Sequence, residues 1–541
     1  MNDLPRTIAA TADALRAGRI SSLELTTALL DRIHASQDTI GAFIHVGGER
    51  ALDAARQADR DFARGVDRGP LQGVPLGIKD IIATADAPTT ANSRVLDPAW
   101  GQRPDATVVR QLRAGGAVLM GKLGLHEFAT GWPDPSTGFR PVRNPWDLAR
   151  TPGGSSSGTG AAVAADLIIA GLGTDTSGSI RGPAAFCGIS GLKPTFGRVS
   201  KEGCVPLGYS LDNIGPMAHT AQDCALLLQA IAGYDPADPC TVNRAVPDFS
   251  AALARPLAGL RIGIPRGYFF DVPELDAEVR SVVLGAIEAM RQAGATVVDV
   301  AIPHAADGAN ACTVTIRSES YGYHERNLQT RPEAYGKWTR RVLHIGVLFT
   351  AADFVQAQRI RSIVKAEVNA AQQQVDVLIV PTMLSPAGKF AGYEPDARLT
   401  SPSYTGFWNM TGHPALSVPC GFTSGGLPIG MQIIGRAFDE STVLGVGHGY
   451  QQISDWHERR PPTPGGTPTL DDVRNAVPDE SAPDPAAVRA IEALLMNARF
   501  PMDDQDQLRL ARVYPGIREM TDRLRDVDFA NQEPALIYPA G

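Results

Sequence analysis

The sequence predicts an α/β fold, and three observations carry that expectation. Residues 260–264 read as a short apolar strand, 276–293 as an amphipathic helix stopped by Gly294, and 296–302 as a second strand. Such alternation packs helices against a sheet. The run VDVLIVP at 375–381 has the length and β-branched content of a buried strand. The chain is 541 residues long, enough for one large core and an appendage.

Taken in order, residues 5–65 read as mostly helical. Ser21 or Ser22 is placed to cap a helix, with Glu24 in its first turn. Residues 50–62 give a helix rich in alanine and charge. Residues 71–82 switch to a short apolar run punctuated by Pro75 and Gly77. A helix running into a strand follows over 108–120. Residues 206–216 read as an ordered loop, and 221–231 as a helix. Residues 312–375 are mostly helical, with Tyr321, Tyr335 and Trp338 as pocket-lining aromatics or as core. A short helix over 405–410 and strands at 414–422 and 429–435 complete the sheet, and a last helix runs over 440–454. Residues 458–484 are rich in proline, glycine and aspartate, a boundary composition. The expected division is a main domain over 1–460, a linker over 461–484 and a helical tail over 485–541. The tail carries helices at 486–499 and 504–527, the second interrupted at Pro515, and ends irregularly around Glu533 to Leu536.

The chemistry concentrates in residues 151–184, TPGGSSSGTGAAVAADLIIAGLGTDTSGSIRGPA. Glycine allows sharp turns and close approach to backbone amides. Serine becomes a nucleophile once something takes its proton. A flexible linker is the ordinary reading of such composition. The nearly continuous apolar segment 161–171 and the packed-looking 187–194 argue against it. Gly153 and Gly158 have P-loop spacing, but Thr159 stands where the lysine belongs. Gly158-Thr159-Gly160 opens like a dinucleotide fingerprint, but Val163 fills the third glycine position. Gly154 to Gly158 fits a nucleophile elbow centred on Ser156, yet the preceding residues make a poor strand.

Lys79 lies in Gly73-Val74-Pro75-Leu76-Gly77-Ile78-Lys79-Asp80, among apolar neighbours. A surface charge is the usual state of a lysine. Burial would instead lower its pKa and suit it to act as a general base. Lys122 is the competing lysine. His126 and Glu127 read either as an acid/base pair or as a helix-start pair with a structural role.

The clusters Gly153-Gly154-Ser155-Ser156 and Asp175-Thr176-Ser177-Gly178-Ser179-Ile180-Arg181-Gly182-Pro183 resemble the amidase signature family, as do Gly191-Leu192-Lys193-Pro194-Thr195 and the segment around Lys79. Ser177 replaces the first of two usual glycines, and leaves a rival hydroxyl two residues from Ser179. The resemblance covers most of 1–460. It implies a central mixed β-sheet with helices on both faces, a cis peptide near Ser155, and Lys79, Ser155 and Ser179 as a Ser-Ser-Lys triad. In that triad Lys79 takes a proton from Ser155, Ser155 takes one from Ser179, and Ser179 attacks an amide carbonyl to form an acyl-enzyme. The backbone amides of Thr176, Ser177, Gly178 and Ser179 are the candidate oxyanion hole. The tail is similar to the small helical partner protein found with some amidase-type enzymes, or is a structural or dimerisation appendage.

The implied function is an amidohydrolase cleaving an amide, anilide or carbamate. The alternative is an A-type subunit of a glutamyl- or aspartyl-tRNA amidotransferase. An esterase using Ser156 with His413 or His448, and a non-catalytic scaffold, are the remaining readings. Charge is 50 basic against 58 acidic residues, net −8, which gives no sign of a nucleic-acid surface. Only seven residues are lysine. The six cysteines show no paired spacing, so no metal or other cofactor is expected. Neither a signal-peptide pattern nor an 18-residue apolar run is present. The expected setting is cytoplasmic, with a small-molecule amide substrate, no nucleic acid, no membrane, and a homodimer as assembly.

Overall fold

Short, fully buried strands build the centre of this protein. The computed structural model describes residues 4–392, 402–462, 468, 470, 473, 481–498 and 500–527. Among them lie β1 (Phe43–Val46), β2 (Pro75–Lys79), β3 (Val118–Leu123), β4 (Ala170–Asp175), β5 (Ser190–Lys193), β6 (Asn213–Ala218), β7 (Arg261–Ile264), β8 (Thr296–Asp299), β9 (Val377–Pro381), β10 (Ala415–Phe422) and β11 (Pro428–Ile434). They form one mixed sheet in the order β1-β3-β2-β4-β6-β5-β10-β11-β9-β7-β8. Parallel pairs sit toward both ends, β3/β2/β4 and β9/β7/β8. The middle of the sheet is antiparallel. Helices flank it, as the α/β reading requires.

Local signals explain most element ends. Ser21 caps the helix Ser22–Ser36 through a capping box with Glu24. Asp276 caps Ala277–Gln292 by accepting from the amides of Glu278 and Val279. The 161–171 segment resolves into the helix Ser157–Ala164 followed by β4, both buried at every residue.

Two expectations need correction. The loop read over 206–216 contains the start of β6, which runs from Asn213 through Pro216. Proline cannot donate to a ladder, and β5 pairs with β6 only at Met217 and Ala218, beyond it. Second, the tail helix Asp504–Asp526 runs through Pro515 without a break. Buried Ala511, Ile517, Met520 and Leu524 hold its two halves on one face, which packs on the helices Ala305–Thr330 and Ala351–Gln374. Asp506 anchors it by accepting from Arg340 Nε at 2.8 Å and Arg341 Nε at 3.3 Å. Asp353 pairs with Arg518 and Arg525. The other tail helix spans Pro485–Ala498. Most of the linker over 461–484, and the irregular end around Glu533 to Leu536, lie outside the described residues.

Candidate active site

β2 delivers Lys79 into the interior, flanked by β3 and β4. All five residues of that strand are buried, and Lys79 is 0% exposed. Its Nζ lies 2.7 Å from Ser155 Oγ, 3.0 Å from Ser156 Oγ and 2.7 Å from Thr174 Oγ1. No carboxylate pairs with it among the described residues. Burial lowers its pKa from 10.5 to about 7, against the opposing fields of Cys204, Asp175 and Asp212. A large fraction of Lys79 is therefore neutral near pH 7, with a lone pair to accept a hydroxyl proton.

The three hydroxyls are not equivalent. Ser156 Oγ donates to the carbonyl of Thr174 and accepts from its amide, each at 3.2 Å. That hydroxyl proton is committed to the backbone of β4. Ser155 has no such second tie and is the hydroxyl placed to pass a proton to Lys79. The elbow reading for Ser156 also fails on topology, because no strand precedes the helix that begins at Ser157.

Backbone geometry holds Ser155 and Ser179 in one unit. The Gly154–Ser155 peptide is cis. The Ser156 amide donates to the Ser179 carbonyl at 3.1 Å, and the His126 amide to the Ser155 carbonyl at 3.2 Å. A side chain at Gly154 would stand 2.1 Å from the His126 ring, so only glycine admits that contact.

Asp175 and Arg181 shape the loop that carries Ser179. Both are fully buried, with Arg181 Nη2 2.9 Å from Asp175 Oδ1. Burial alone would raise the Asp175 carboxyl, but the Arg181 charge and its hydrogen bonds outweigh it and hold it down at about 2. Asp175 also accepts from the amides of Gly178 at 2.7 Å and Ile180 at 3.2 Å. The loop thus curls around a fixed anion. One expected oxyanion donor is thereby removed, since the Gly178 N–H points at Asp175. The amides of Thr176, Ser177 and Ser179 have no protein acceptor among the described residues. Gly178 itself has φ +120°, and a Cβ there would lie 2.1 Å from Thr405 Oγ1. Thr405 Oγ1 donates to the Ser177 carbonyl at 2.7 Å.

The rival groups have structural partners. Lys122 pairs with Asp80 at 3.0 Å and donates to Ile82 O at 2.9 Å and Thr89 Oγ1 at 2.6 Å. Glu127 accepts from Ser93 Oγ at 2.5 Å and the Gly336 amide at 2.9 Å, and burial raises its pKa to about 7. His413 is buried against Asn369. Tyr335 and Trp338 are core residues. Sequence reasoning missed Thr174, the third hydroxyl on Lys79. The Arg317 guanidinium donates to Thr130 Oγ1 at 3.1 Å, and its Nε is out of water with no hydrogen-bond partner among the described residues. Burial lowers its pKa to about 10, and no carboxylate faces it among the described residues. No group of His, Cys, Asp and Glu suited to a metal ion occurs among the described residues, and none of their helices is long and apolar enough to cross a membrane.

The family model described as Amidase matches residues 24–444. The A subunit of the glutamyl-tRNA(Gln) amidotransferase from Chloroflexus aggregans is 45% identical over 485 residues, covering 84% of this chain and 98% of the relative. The peptide amidase of Stenotrophomonas maltophilia superposes with TM-score 0.72 at 33% identity, over 84% of this chain and 98% of its own. A structure described as a vestigial protein complex, bearing on the origins of an s-triazine catabolic enzyme, gives TM-score 0.77 at 34% identity, over 82% and 98%. The Chloroflexus relative corrects one expectation, that of a homodimer whose only partner is a small-molecule amide, with no nucleic acid involved. The Chloroflexus protein is by its name one component of an amidotransferase of glutamyl-tRNA(Gln). Overall charge is a poor guide to a nucleic-acid partner, because net charge does not report the charge of a local surface.

Proposed function

The chain belongs to the amidase family, and from that premise we propose that it is the amide-cleaving component of an amidotransferase-type assembly. It splits the C–N bond of a carboxamide and releases ammonia for transfer to an acyl group carried on a tRNA. The carrying observation is the buried Lys79, with no carboxylate partner among the described residues and within 2.7 Å of Ser155 Oγ, in a chain spanning nearly the whole length of such a relative.

Neutral Lys79 takes a proton from Ser155, Ser155 takes one from Ser179, and Ser179 Oγ bonds to the carboxamide carbon. The free amides of Thr176, Ser177 and Ser179 face the developing oxyanion. The relay then returns a proton to the leaving nitrogen, ammonia departs, and water repeats the cycle to free the acid. Arg317 supports a substrate bearing a carboxylate, such as an amino-acid carboxamide like glutamine. The catalytic unit is taken as 1–460, joined through 461–484 to the appendage 485–541. The setting is the cytoplasm, where aminoacyl-tRNA is found.

The test is ammonia release from glutamine by the full chain, alone and with co-expressed partner proteins and acylated tRNA. Release that needs Ser179 and rises with partners and tRNA supports the proposal. Partner-independent turnover that tRNA does not change overturns the amidotransferase reading, and release retained in Ser179→Ala overturns the chemistry.

A further inference from the structure

A second cavity, of about 920 Å³, opens on the far side of the Tyr209–Pro239 wall from the hollow that reaches Thr174. None of Lys79, Ser155 and Ser179 lines it. Its walls carry Arg361, Lys365 and Arg436, and no aspartate or glutamate. That is a marked local excess in a chain of net charge −8.

The helix Ala351–Gln374 supplies one wall. Arg361, Lys365, Asn369 and Gln372 follow at helical spacing, so their side chains fall along one face. Arg361 is held in place by the carbonyl of Ser210 at 2.9 Å and its hydroxyl at 3.3 Å. Behind Ser210 stands Glu319, which accepts from the Ser210 amide at 3.0 Å. Arg436 spans the carbonyls of Gln372 and Val375, the latter at 2.7 Å. Lys365 has no acidic partner among the described residues. Its pKa is lowered by burial and by Arg361, the signature of a cation left without an anion.

Two polar side chains in the same wall are also unsatisfied. Gln372 is 1% exposed, and neither its amide nitrogen nor its oxygen has a hydrogen-bond partner among the described residues. Thr411, 3% exposed, leaves its hydroxyl unpaired among those residues. Buried polar groups are ordinarily paired, and exceptions call for an explanation. Phe438 adds a flat apolar face, already bracketed by Arg198 and Arg244 at 4.8 and 5.0 Å. Cavities of this size, with a few converging polar groups, are the usual form of a small-molecule site.

We propose that this cavity binds a small organic anion, a phosphate ester or a polycarboxylate, through Arg361, Lys365 and Arg436, at a site separate from the serine–lysine cluster. The ligand's charged oxygens meet Lys365 and Arg436, which have no acidic partner among the described residues, and Arg361, which Glu319 already faces from behind, and charge-assisted hydrogen bonds provide the affinity. The cost of holding three cations together is relieved on binding.

Isothermal titration of the full chain with pyrophosphate, AMP and citrate tests this and separates phosphate from carboxylate sources. At least one should bind, more weakly as salt rises, and should raise the melting temperature. Lys365→Gln should weaken it roughly tenfold or more, the scale of one charge-assisted hydrogen bond, with the unliganded melting temperature unchanged. Gln372→Leu is the second variant and should also weaken binding, while Ser179→Ala should not. Failure of all three anions to bind, or binding unchanged in both cavity variants, would overturn the assignment.

Discussion

Lys79 Nζ sits 2.7 Å from Ser155 Oγ with no carboxylate against it, whereas the equally buried Lys122 holds Asp80 at 3.0 Å. Burial lowers the pKa of both lysines, but at Lys122 the charge and hydrogen bond of Asp80 oppose it. An unpaired lysine, surrounded only by hydroxyls, loses its proton near neutral pH. The two lysines share a sheet, and the carboxylate at Lys122 has no counterpart among the hydroxyls around Lys79.

The pH dependence follows with a definite sign. Lys79 works when neutral, so kcat/KM should rise with pH through about 7 and level off above it. Glu127 also titrates near 7 but is bonded to Ser93 and Gly336, away from the hydroxyl cluster. Glu127→Gln should therefore keep the rising limb, and Lys79→Ala should lose it together with nearly all turnover. A pH–rate profile of the three proteins checks this.

Lys122→Met should act on stability. It strands a fully buried Asp80 carboxylate, a change that typically costs about 3–5 kcal/mol. Urea unfolding should show that loss, and the folded fraction should keep its pH–rate limb near 7. Loss of the limb without loss of stability would return Lys122 to candidacy as the base.

Gly178→Ala forces a side chain onto Thr405 Oγ1 and disfavours the φ of +120°. The turn that aims the Thr176, Ser177 and Ser179 amides should shift. Loss of oxyanion stabilisation costs roughly 10²–10³ in kcat, so a drop of about that size is expected with KM little changed. Steady-state kinetics on the folded variant measures the split.

Arg317→Met should raise KM for a carboxylate-bearing amide and leave amides without a carboxylate unaffected. A hydrogen bond to a charged group is worth about 1.5–3 kcal/mol, so the rise should be roughly 10- to 100-fold. Parallel kinetics on glutamine and on an uncharged amide decide it. Equal losses on both would assign Arg317 to packing.

Much of the site was legible in the chain. The apolar flanks of Lys79 announced its burial, and the first glycine–serine cluster carried Ser155, which Lys79 contacts; the second carries Ser179, whose role is part of the proposal. Thr174 was invisible because a threonine in a strand looks ordinary; only the parallel pairing of β2 with β4 sets it over Lys79. Asp175 stood in the motif, but its grip on the Gly178 amide depends on a φ that sequence does not display. β6 hid because a central strand with Gly215 and Pro216 shows no alternation of polar and apolar residues. The cationic cavity draws on segments from Thr195 to Phe438 and has no local signature.

The most direct test is where the acyl group lands. The full chain, incubated with glutamine and quenched in acid, is digested with trypsin. Because Arg150 and Arg181 bound a peptide without internal lysine or arginine, residues 151–181 emerge as one fragment holding Ser155, Ser156, Ser157, Ser177 and Ser179. Fragmentation of that peptide should place a glutamyl ester on Ser179, and the ester should be absent from Lys79→Ala. An ester on Ser155, Ser156, Ser157 or Ser177, or ammonia release with no ester anywhere, would contradict the account.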